Sequence, residues 1–536
     1  MPQYMTPGVY VEEIPSASKP IEGVSTSVAA FVGLAPFGPI NTPVRLSNWG
    51  QFARTFGNPR DPKSGPFMKG AYLAHAVYGF FHNGGTLCHV VRVGEGSAPG
   101  APQTALPAAT GDDLPFRVVA RDEAGNGEVT VEIEEEESDD KPKAEDAGNG
   151  SAAGAAATTY RIVVTAASDP ESKDPDPKPQ VDEIENLTVQ KGGSSYIVTK
   201  VNRESTLIML EETEPDTITP RPQLKTGTYK LDQKGALATI TPDQVQGNVD
   251  SRTGLDGLGA VDEITMLCVP DLMSPALTEE QRTDLQGKMV AHCELMKDRM
   301  AILDAPLDAG PNDILDWRSE RGWTSKFGAL YYPWIEVMDP IDGQPLMVPP
   351  CGHVAGVWAR VDGTRGVHKA PANEVVMGAN GISFQVTSAE QGEMNRQGIN
   401  CIRSFPGRGI RIWGARTLST LEDPEWRYIN VRRLFNFISE SIMEGTQWAV
   451  FEPNDASLWT QLRISASNFL TRVWRDGALF GATPAEAFYV KCDAETNPPD
   501  MVEAGQVTVE IGIAPVKPAE FVVFRISQFQ AGADGA

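Results

Sequence analysis

Ile264-Thr-Met-Leu-Cys-Val269, Arg299-Met-Ala-Ile-Leu-Asp304 and Phe327-Gly-Ala-Leu-Tyr-Tyr332 are three short apolar runs separated by two helical ones. The first gap opens with Thr278-Glu-Glu-Gln281, a capping box in which each end's side chain reaches the other's backbone N–H. Leu285, Met289, Cys293 and Met296 then recur at helical spacing. Pro311 to Arg321 carries the second helix, and Cys351 to Arg360 a third beyond the last strand. Strand, helix, strand, helix, strand predicts a parallel sheet with both faces covered, because each parallel crossover lays a helix on one face.

The chain has 536 residues, room for about three to five domains of ordinary size. It carries 46 Lys and Arg against 71 Asp and Glu, a formal charge of −25. That balance argues against nucleic acid as a main partner, since phosphate binding needs a basic face. It fits a well-solvated surface. Cys88, Cys268, Cys293, Cys351, Cys401 and Cys492 form no Cys-x-x-Cys pair and sit mostly in apolar runs, so they read as small buried hydrophobes in a reducing compartment. No stretch approaches the roughly 20 apolar residues of a membrane span, and the first residues lack the basic and apolar regions of a leader.

Toward the N-terminus, Ser27-Val-Ala-Ala-Phe-Val-Gly33 and Thr86-Leu-Cys-His-Val-Val-Arg-Val93 read as buried strands, and Pro43-Val-Arg-Leu46 as a short one. Helices are expected over Ser47–Phe56 and Pro66–Phe81. Pro7-Gly-Val-Tyr-Val-Glu-Glu-Ile-Pro15 is a short edge strand on a polar linker, with nothing local to pair with. From about Gly94 to Asp250 the composition turns to Ala, Gly, Pro, Ser and acidic residues. Strands are expected there at Phe116–Ala120, Val129–Ile133, Tyr160–Val164, Tyr196–Val201 and Thr206–Leu210, linked by acidic loops such as Glu134-Glu-Glu-Glu137. These acids lack the spacing that folds oxygens round a calcium ion.

Toward the C-terminus, Glu425–Met443 is an amphipathic helix with Ile429, Leu434, Phe437, Ile438 and Ile442 as its apolar stripe. Arg427, Arg432 and Arg433 are expected on its other face. Ser457–Arg475 is a second helix, carrying Arg463, Arg472 and Arg475. Basic helices in an acidic chain point either to an acidic partner or to pairing with Glu440, Glu444 or Asp455. Gln506–Ile513 and Phe521–Ile526 are β-rich and leave strand edges open.

Several ordered strings resemble the tail sheath proteins of contractile phage tails and related contractile injection systems. They are Tyr4-x-Thr-Pro-Gly-Val-Tyr-Val-Glu-Glu13, Phe80-Phe-His-Asn-Gly-Gly85, Asp362-Gly-Thr-Arg-Gly-Val-His-Lys-Ala-Pro-Ala-Asn373, Gly407-Arg-Gly-Ile-Arg-Ile-Trp-Gly-Ala-Arg-Thr-Leu418, Phe451-Glu-Pro-Asn454 and Ala514-Pro-Val-Lys-Pro-Ala-Glu-Phe521. The resemblance covers roughly residues 1–95 and 255–530. It implies an α/β and α+β multidomain chain. Residues 1–25 would be an arm with an exchanged strand, 26–94 the first part of the core, and 95–254 a β-rich outer insertion. Residues 255–400 would be a doubly wound, subtilisin-like but non-catalytic domain, 401–518 the assembly domain and 519–536 a C-terminal arm. Strand exchange between subunits would then use Gly8, Val9, Tyr10, Val11, Glu12, Val507, Val509, Ile511, Phe521, Val522, Val523, Phe524 and Ile526. Arg427, Arg432, Arg433, Arg463, Arg472 and Arg475 would meet an inner tube. The implied partners are further copies in a helical homopolymer, the tube protein, and baseplate and terminator proteins. No cofactor, metal or membrane insertion is implied. Synthesis and assembly would be cytoplasmic, as part of a tail or tail-like particle released on lysis.

Two other functions fit parts of the chain. A hydrolase could use Asp271 and Asp304, which with Tyr332 end the predicted strands, where doubly wound sheets bind ligands. Helix capping and turn formation are the favoured reading of those aspartates. His292 and Cys293 are adjacent on a helix and point about 100° apart, which rules out a nucleophile–base pair. His353 and His368 read as solvent-facing or turn residues. No phosphate loop, zinc motif or nucleophile elbow is present. Alternatively, the insertion could serve as a binding module for a surface or partner.

Overall fold

The computed structural model describes residues 20–57, 65–68, 70–93, 240–274, 277–341, 343–419 and 423–526, and within the insertion 103–107, 109, 116–121, 129–136, 158–166, 179–190, 195–212 and 223–231. Its centre is one nine-stranded sheet. In chain order the strands are β1 (Val28–Gly33), β2 (Val44–Leu46), β3 (Leu87–Arg92), β4 (Met266–Cys268), β5 (Met300–Asp304), β6 (Gly328–Tyr332), β7 (Glu374–Val375), β8 (Ile399–Phe405) and β9 (Gly409–Ile412). Across the sheet they run β7-β9-β8-β6-β5-β4-β1-β3-β2. The six strands from β8 to β3 are parallel, and β9, β7 and β2 close the two edges antiparallel.

The expected two-sided cover is present. Successive strand residues alternate between two cores: Ala29, Phe31, Met300, Ile302 and Tyr331 enter one, while Ala30, Val32, Ala301, Leu303 and Tyr332 enter the other. Helices α1 (Leu73–His82) and α4 (Cys351–Arg365) cover the first face. Helices α2 (Glu279–Met296) and α3 (Pro311–Arg321) cover the second. Each fully buried Val, Leu, Ile or Phe side chain contributes about 1.5–3 kcal/mol. Helices α1 and α4 cross closely enough that a Cβ on Gly352 would lie 2.3 Å from the Ala76 carbonyl oxygen. His353, expected at the surface, is buried in that seam, and burial lowers its pKa to about 3.

Strand β1 sits between β4 and β3, so residues 26–94 share the central sheet with later strands. Strands β8 and β9 continue that sheet past residue 401, β8 pairing with β6 and β9 with β7.

The described residues between 103 and 231 bury their own core, with Phe116, Val131, Ile133, Tyr160, Ile162 and Leu210 inside. It lies among a four-stranded antiparallel sheet (Gly227–Lys230, Val129–Glu136, Thr159–Ala166, Gln180–Leu187) and a three-stranded one (Gln103–Leu106, Phe116–Ala120, Ile208–Glu212). Tyr196–Val201, expected as a strand, is instead the start of the helix Ile197–Glu204. Ile197 and Val201 are one helical turn apart and both buried, so burial of the i, i+4 pair outweighs their β-branched preference.

The last unit holds α5 (Ile429–Thr446), α6 (Ala456–Arg475) and a two-stranded antiparallel sheet of β10 (Phe488–Lys491) and β11 (Glu510–Ile513). Asp455 caps α6 by accepting from the Ser457 and Leu458 N–H groups. Leu434, Ile438, Phe469, Leu470 and Val473 pack between the helices. No described helix is long and apolar enough to cross a membrane.

Candidate functional site at the C-terminal strands and helices

The first of the two expected β-rich segments is shorter than expected. Of Gln506–Ile513 only Glu510–Ile513 is a paired strand, and its partner β10 was not read from the sequence. Phe488, Val490, Ile511 and Ile513 lean on the helical core, while Tyr489 and Glu510 face out, with the Tyr489 hydroxyl donating to Glu510 Oε1 at 2.8 Å. Gly512 lies under the Tyr489 ring, where a Cβ would come within 2.2 Å. Among the described residues neither strand has a second strand partner, so each keeps an open edge.

Glu520 fixes the chain after the hairpin. Its carboxylate accepts from Arg416 Nε (2.9 Å) and Nη2 (2.7 Å), from the Tyr428 hydroxyl (3.0 Å) and from Asn395 Nδ2. Burial works against the charge, and these bonds more than offset it, holding the carboxyl below its usual range. Beyond this clamp Phe521, Val522, Val523, Phe524 and Ile526 are 70–95% exposed. They were expected as a β-rich run exchanged between subunits. In the single chain they have no strand partner.

Gly8 to Glu12 lie outside the described residues. The chain leading from them is rooted firmly, with Ile21 buried among Leu434, Ile438 and Phe469. A Cβ on Gly445 would lie 2.8 Å from Ile21, so that glycine makes the socket. Arg472 donates to the Ile21 carbonyl, and Ser441 Oγ accepts from the Val24 N–H at 3.1 Å.

The six arginines divide. Arg463, Arg472 and Arg475 are exposed on α6, and Arg427 is half-buried before α5. Arg432 and Arg433, expected on the outer face of α5, are buried. Arg432 lies over the rings of Trp426 (4.4 Å) and Phe327 (4.9 Å), and burial pulls its pKa down to about 10. Arg433 pairs with Asp362 rather than with Glu440, Glu444 or Asp455. The correction has a simple cause: α5 packs against the central domain, and that contact covers the face that looked solvent-exposed in isolation.

The strand-end carboxylates act as distant helix caps. Asp271 accepts from the Leu34 N–H at 2.6 Å and from the Tyr72 N–H just before α1. Asp304 accepts from the Cys351 N–H at 2.8 Å, at the start of α4. The flanking residues Tyr72 and Pro350 supply no side-chain cap, so these aspartates satisfy N–H groups that the helices leave open. Burial raises Asp271 to about 6 and Asp304 to about 7, against those bonds. The described residues contain no cluster of three or more His, Cys, Asp or Glu fit for a metal.

The phage tail sheath protein central domain matches residues 245–418, and the phage tail sheath C-terminal domain matches residues 422–529. Together they span more than half of the chain. The chain belongs to the phage tail sheath family. The first match ends just after β9, where the nine-stranded sheet ends, and the second holds α5, α6 and the hairpin. The tail sheath protein of Burkholderia phage BcepMu is 26% identical over 327 residues, 56% of this chain and 66% of that protein. The tail sheath protein of Salmonella phage ViI is 28% identical over 207 residues, 38% of this chain and 32% of that protein. The chain thus spans less than two thirds of these relatives. The fold is shared with the PVC sheath of an extracellular contractile injection system in its contracted state (TM-score 0.56, 21% identity, 99% of each chain). It is shared also with the helical sheath of the anti-feeding prophage in its contracted state (TM-score 0.56, 24% identity, 98% of this chain and 100% of that one). The open-edged strands, the Glu520 clamp and the exposed arginines of α6 all lie within the residues matched by the C-terminal domain. Strand β10 had a usable signal in the alternation of Phe488, Val490 and Cys492. The roles of Glu520 and Ile21 had none, because each depends on residues distant in sequence.

Proposed function

We propose that this chain is a structural subunit of a contractile sheath, polymerising helically around an inner tube and driving that tube through a target envelope when the lattice shortens. One observation carries the reading: the segment Phe521–Ile526, with five exposed apolar side chains, leaves a fixed clamp unpaired, in a chain whose two-stranded sheet keeps open edges. A segment of that kind is stabilised by adding to another chain's sheet. Gly8–Glu12 would add in the same way, with Val507, Val509 and Ile511 along the receiving edge. Each backbone hydrogen bond is worth about 1 kcal/mol net, so one arm is a weak tie. Repeated over a non-closing heterologous lattice, such ties hold while the globular bodies rotate and slide.

Arg463, Arg472 and Arg475 present an exposed basic face suited to an acidic tube surface, and baseplate and terminator proteins would cap the polymer. The central domain is read as a non-catalytic relative of the subtilisin fold, supported by a parallel sheet covered on both faces. Its two strand-end carboxylates are already engaged as helix caps, which favours a non-enzymatic chain over a hydrolase. Synthesis and assembly would take place in the cytoplasm, with the particle freed by lysis.

Negative-stain electron microscopy of the purified chain, alone and with its tube protein, tests the reading. Regular tubes or tube-bound sheaths are expected. Deletion of Met1–Ser16 should leave a folded monomer that builds neither, and normal sheaths from that variant would sink the arm mechanism.

A further inference from the structure

Phe451 stands fully exposed, at 103% of its reference surface, with φ at +66°. Both features cost free energy. The left-handed region crowds the Cβ of any bulky L-residue against its own backbone. An exposed phenyl ring leaves a large apolar surface in water. Val450, just before it in the chain, is also exposed.

The loop that carries this ring is braced. A short 3-10 turn at Gln447–Ala449 leads in, with the Val450 N–H donating to Gln447 O and the Glu452 N–H to Ala449 O, each at 3.2 Å. On the far side Asn454 Nδ2 donates to Gln506 O at 2.9 Å, and Asn454 Oδ1 accepts from Trp459 Nε1 at 2.8 Å. A braced loop that holds an aromatic ring outward in a strained backbone points to a contact made elsewhere. The Asn454 bond also gives its place. Gln506 begins the segment that runs into β11, so the loop carrying Phe451 is tied through Asn454 to the chain that leads into that strand.

We propose that Phe451 is an assembly knob, covered in the polymer by the Phe521–Ile526 segment of a second copy as that segment adds to the β11 edge. The inference rests on the strand-exchange reading above and names a residue that reading did not use. The occupant follows from the chain's own surface. Five exposed apolar side chains follow Glu520 without a strand partner, and the knob is an exposed apolar surface without a cover. Both belong to one chain, so a second copy satisfies each in turn. Such a contact is heterologous and does not close, which is the geometry of a helical array.

The test uses the full chain. Phe451→Ser and Phe451→Gly touch no buried contact, so both should fold, with Phe451→Gly melting at or above the wild-type temperature because glycine accepts the backbone angle. The critical concentration for tube formation should rise at least tenfold in both. Polymerisation of Phe451→Ser at the wild-type critical concentration overturns the proposal. So does a variant that builds normal empty tubes and loses only its retention on the inner tube, since the knob would then belong to the tube contact. A second variant, Phe451→Cys with Val523→Cys, locates the occupant. All six native cysteines are buried, so oxidised tubes should yield a ladder of cross-linked subunits and oxidised monomers should not. Tubes without a ladder overturn the pairing. Failure of the underlying reading looks different: a chain ending at Glu520 would then polymerise as the full chain does.

Discussion

Arg433 and Asp362 form a bidentate ion pair sealed from solvent, their side chains 4% and 3% exposed. Arg433 Nη1 donates to Asp362 Oδ1 at 2.9 Å, and Nη2 donates both to Oδ2 and to the Thr26 carbonyl at 2.8 Å. Thr26 Oγ1 closes the ring by donating to Asp362 Oδ2 at 2.7 Å. The pair therefore ties α5 of the C-terminal domain to α4 of the central domain and to Thr26, just before β1. Arg433→Met leaves a buried carboxylate without its cation, which should cost about 3–5 kcal/mol in urea unfolding. The double variant Arg433→Met with Asp362→Leu should recover most of that loss. A single-variant loss below about 1 kcal/mol would show that water reaches the site.

Asp304 makes stability depend on pH in an unusual direction. Its folded pKa of about 7 lies above the roughly 3.9 of an unfolded aspartate. The folded state therefore binds the proton more tightly, and between about pH 4 and 7 this group's contribution to stability falls as pH rises. Asp271, raised to about 6, acts in the same sense. Asp304→Asn keeps an acceptor for the Cys351 N–H and removes the buried charge. Its melting temperature at pH 8 should match or exceed wild type, and the difference between pH 5 and pH 8 should shrink. An unchanged pH dependence would exonerate Asp304. Asp304→Ala, which loses the cap, should be about 1–3 kcal/mol less stable at both values.

Glu520 titrates the other way. Its carboxyl is held below the usual range, so the clamp is complete above about pH 4.3 and is lost as pH falls through the folded value. Glu520→Ala should free residues 514–520 without unfolding the core. Losing a set of charge-assisted bonds worth about 1.5–3 kcal/mol should speed local amide exchange tenfold or more. Exchange unchanged in that segment would mean that the neighbouring backbone bonds alone hold the arm's root.

The exposed arginines of α6 should act through charge. Arg463→Glu and Arg475→Glu are the clean variants, since Arg472 also donates to the Ile21 carbonyl. Co-sedimentation with the inner tube should weaken in each, and wild-type binding should fall with added salt, because exposed charges are screened beyond about 8–10 Å at physiological ionic strength. Assembly of empty tubes should not change. Salt-insensitive tube binding would assign the contact to apolar side chains instead.

Much of this molecule was legible locally. The runs at 264–269, 299–304 and 327–332 became β4, β5 and β6, and their alternate residues fill two cores, because side-chain direction along a strand needs no tertiary information. Of the apolar stripe, Leu434 and Ile438 face the C-terminal core and Ile429 enters the core of the central domain. Gln506–Ile513 and Phe521–Ile526 stood out as β-rich runs with open edges, although pairing in the single chain is confined to Glu510–Ile513.

The sequence by itself determined which short segments bury apolar surface and with what period, since a few neighbouring residues settle that. Only the tertiary structure decided which segments meet. It placed β1 beside β4 across more than 230 residues and gave Arg433 its carboxylate. It aimed Asp271 and Asp304 at helix ends and held Phe451 out in water. A charged side chain on a helix looks solvated until another surface covers it, and a loop aromatic looks like core until no core receives it. Long-range pairing and burial are properties of surfaces brought together, and no window of neighbouring residues contains both surfaces.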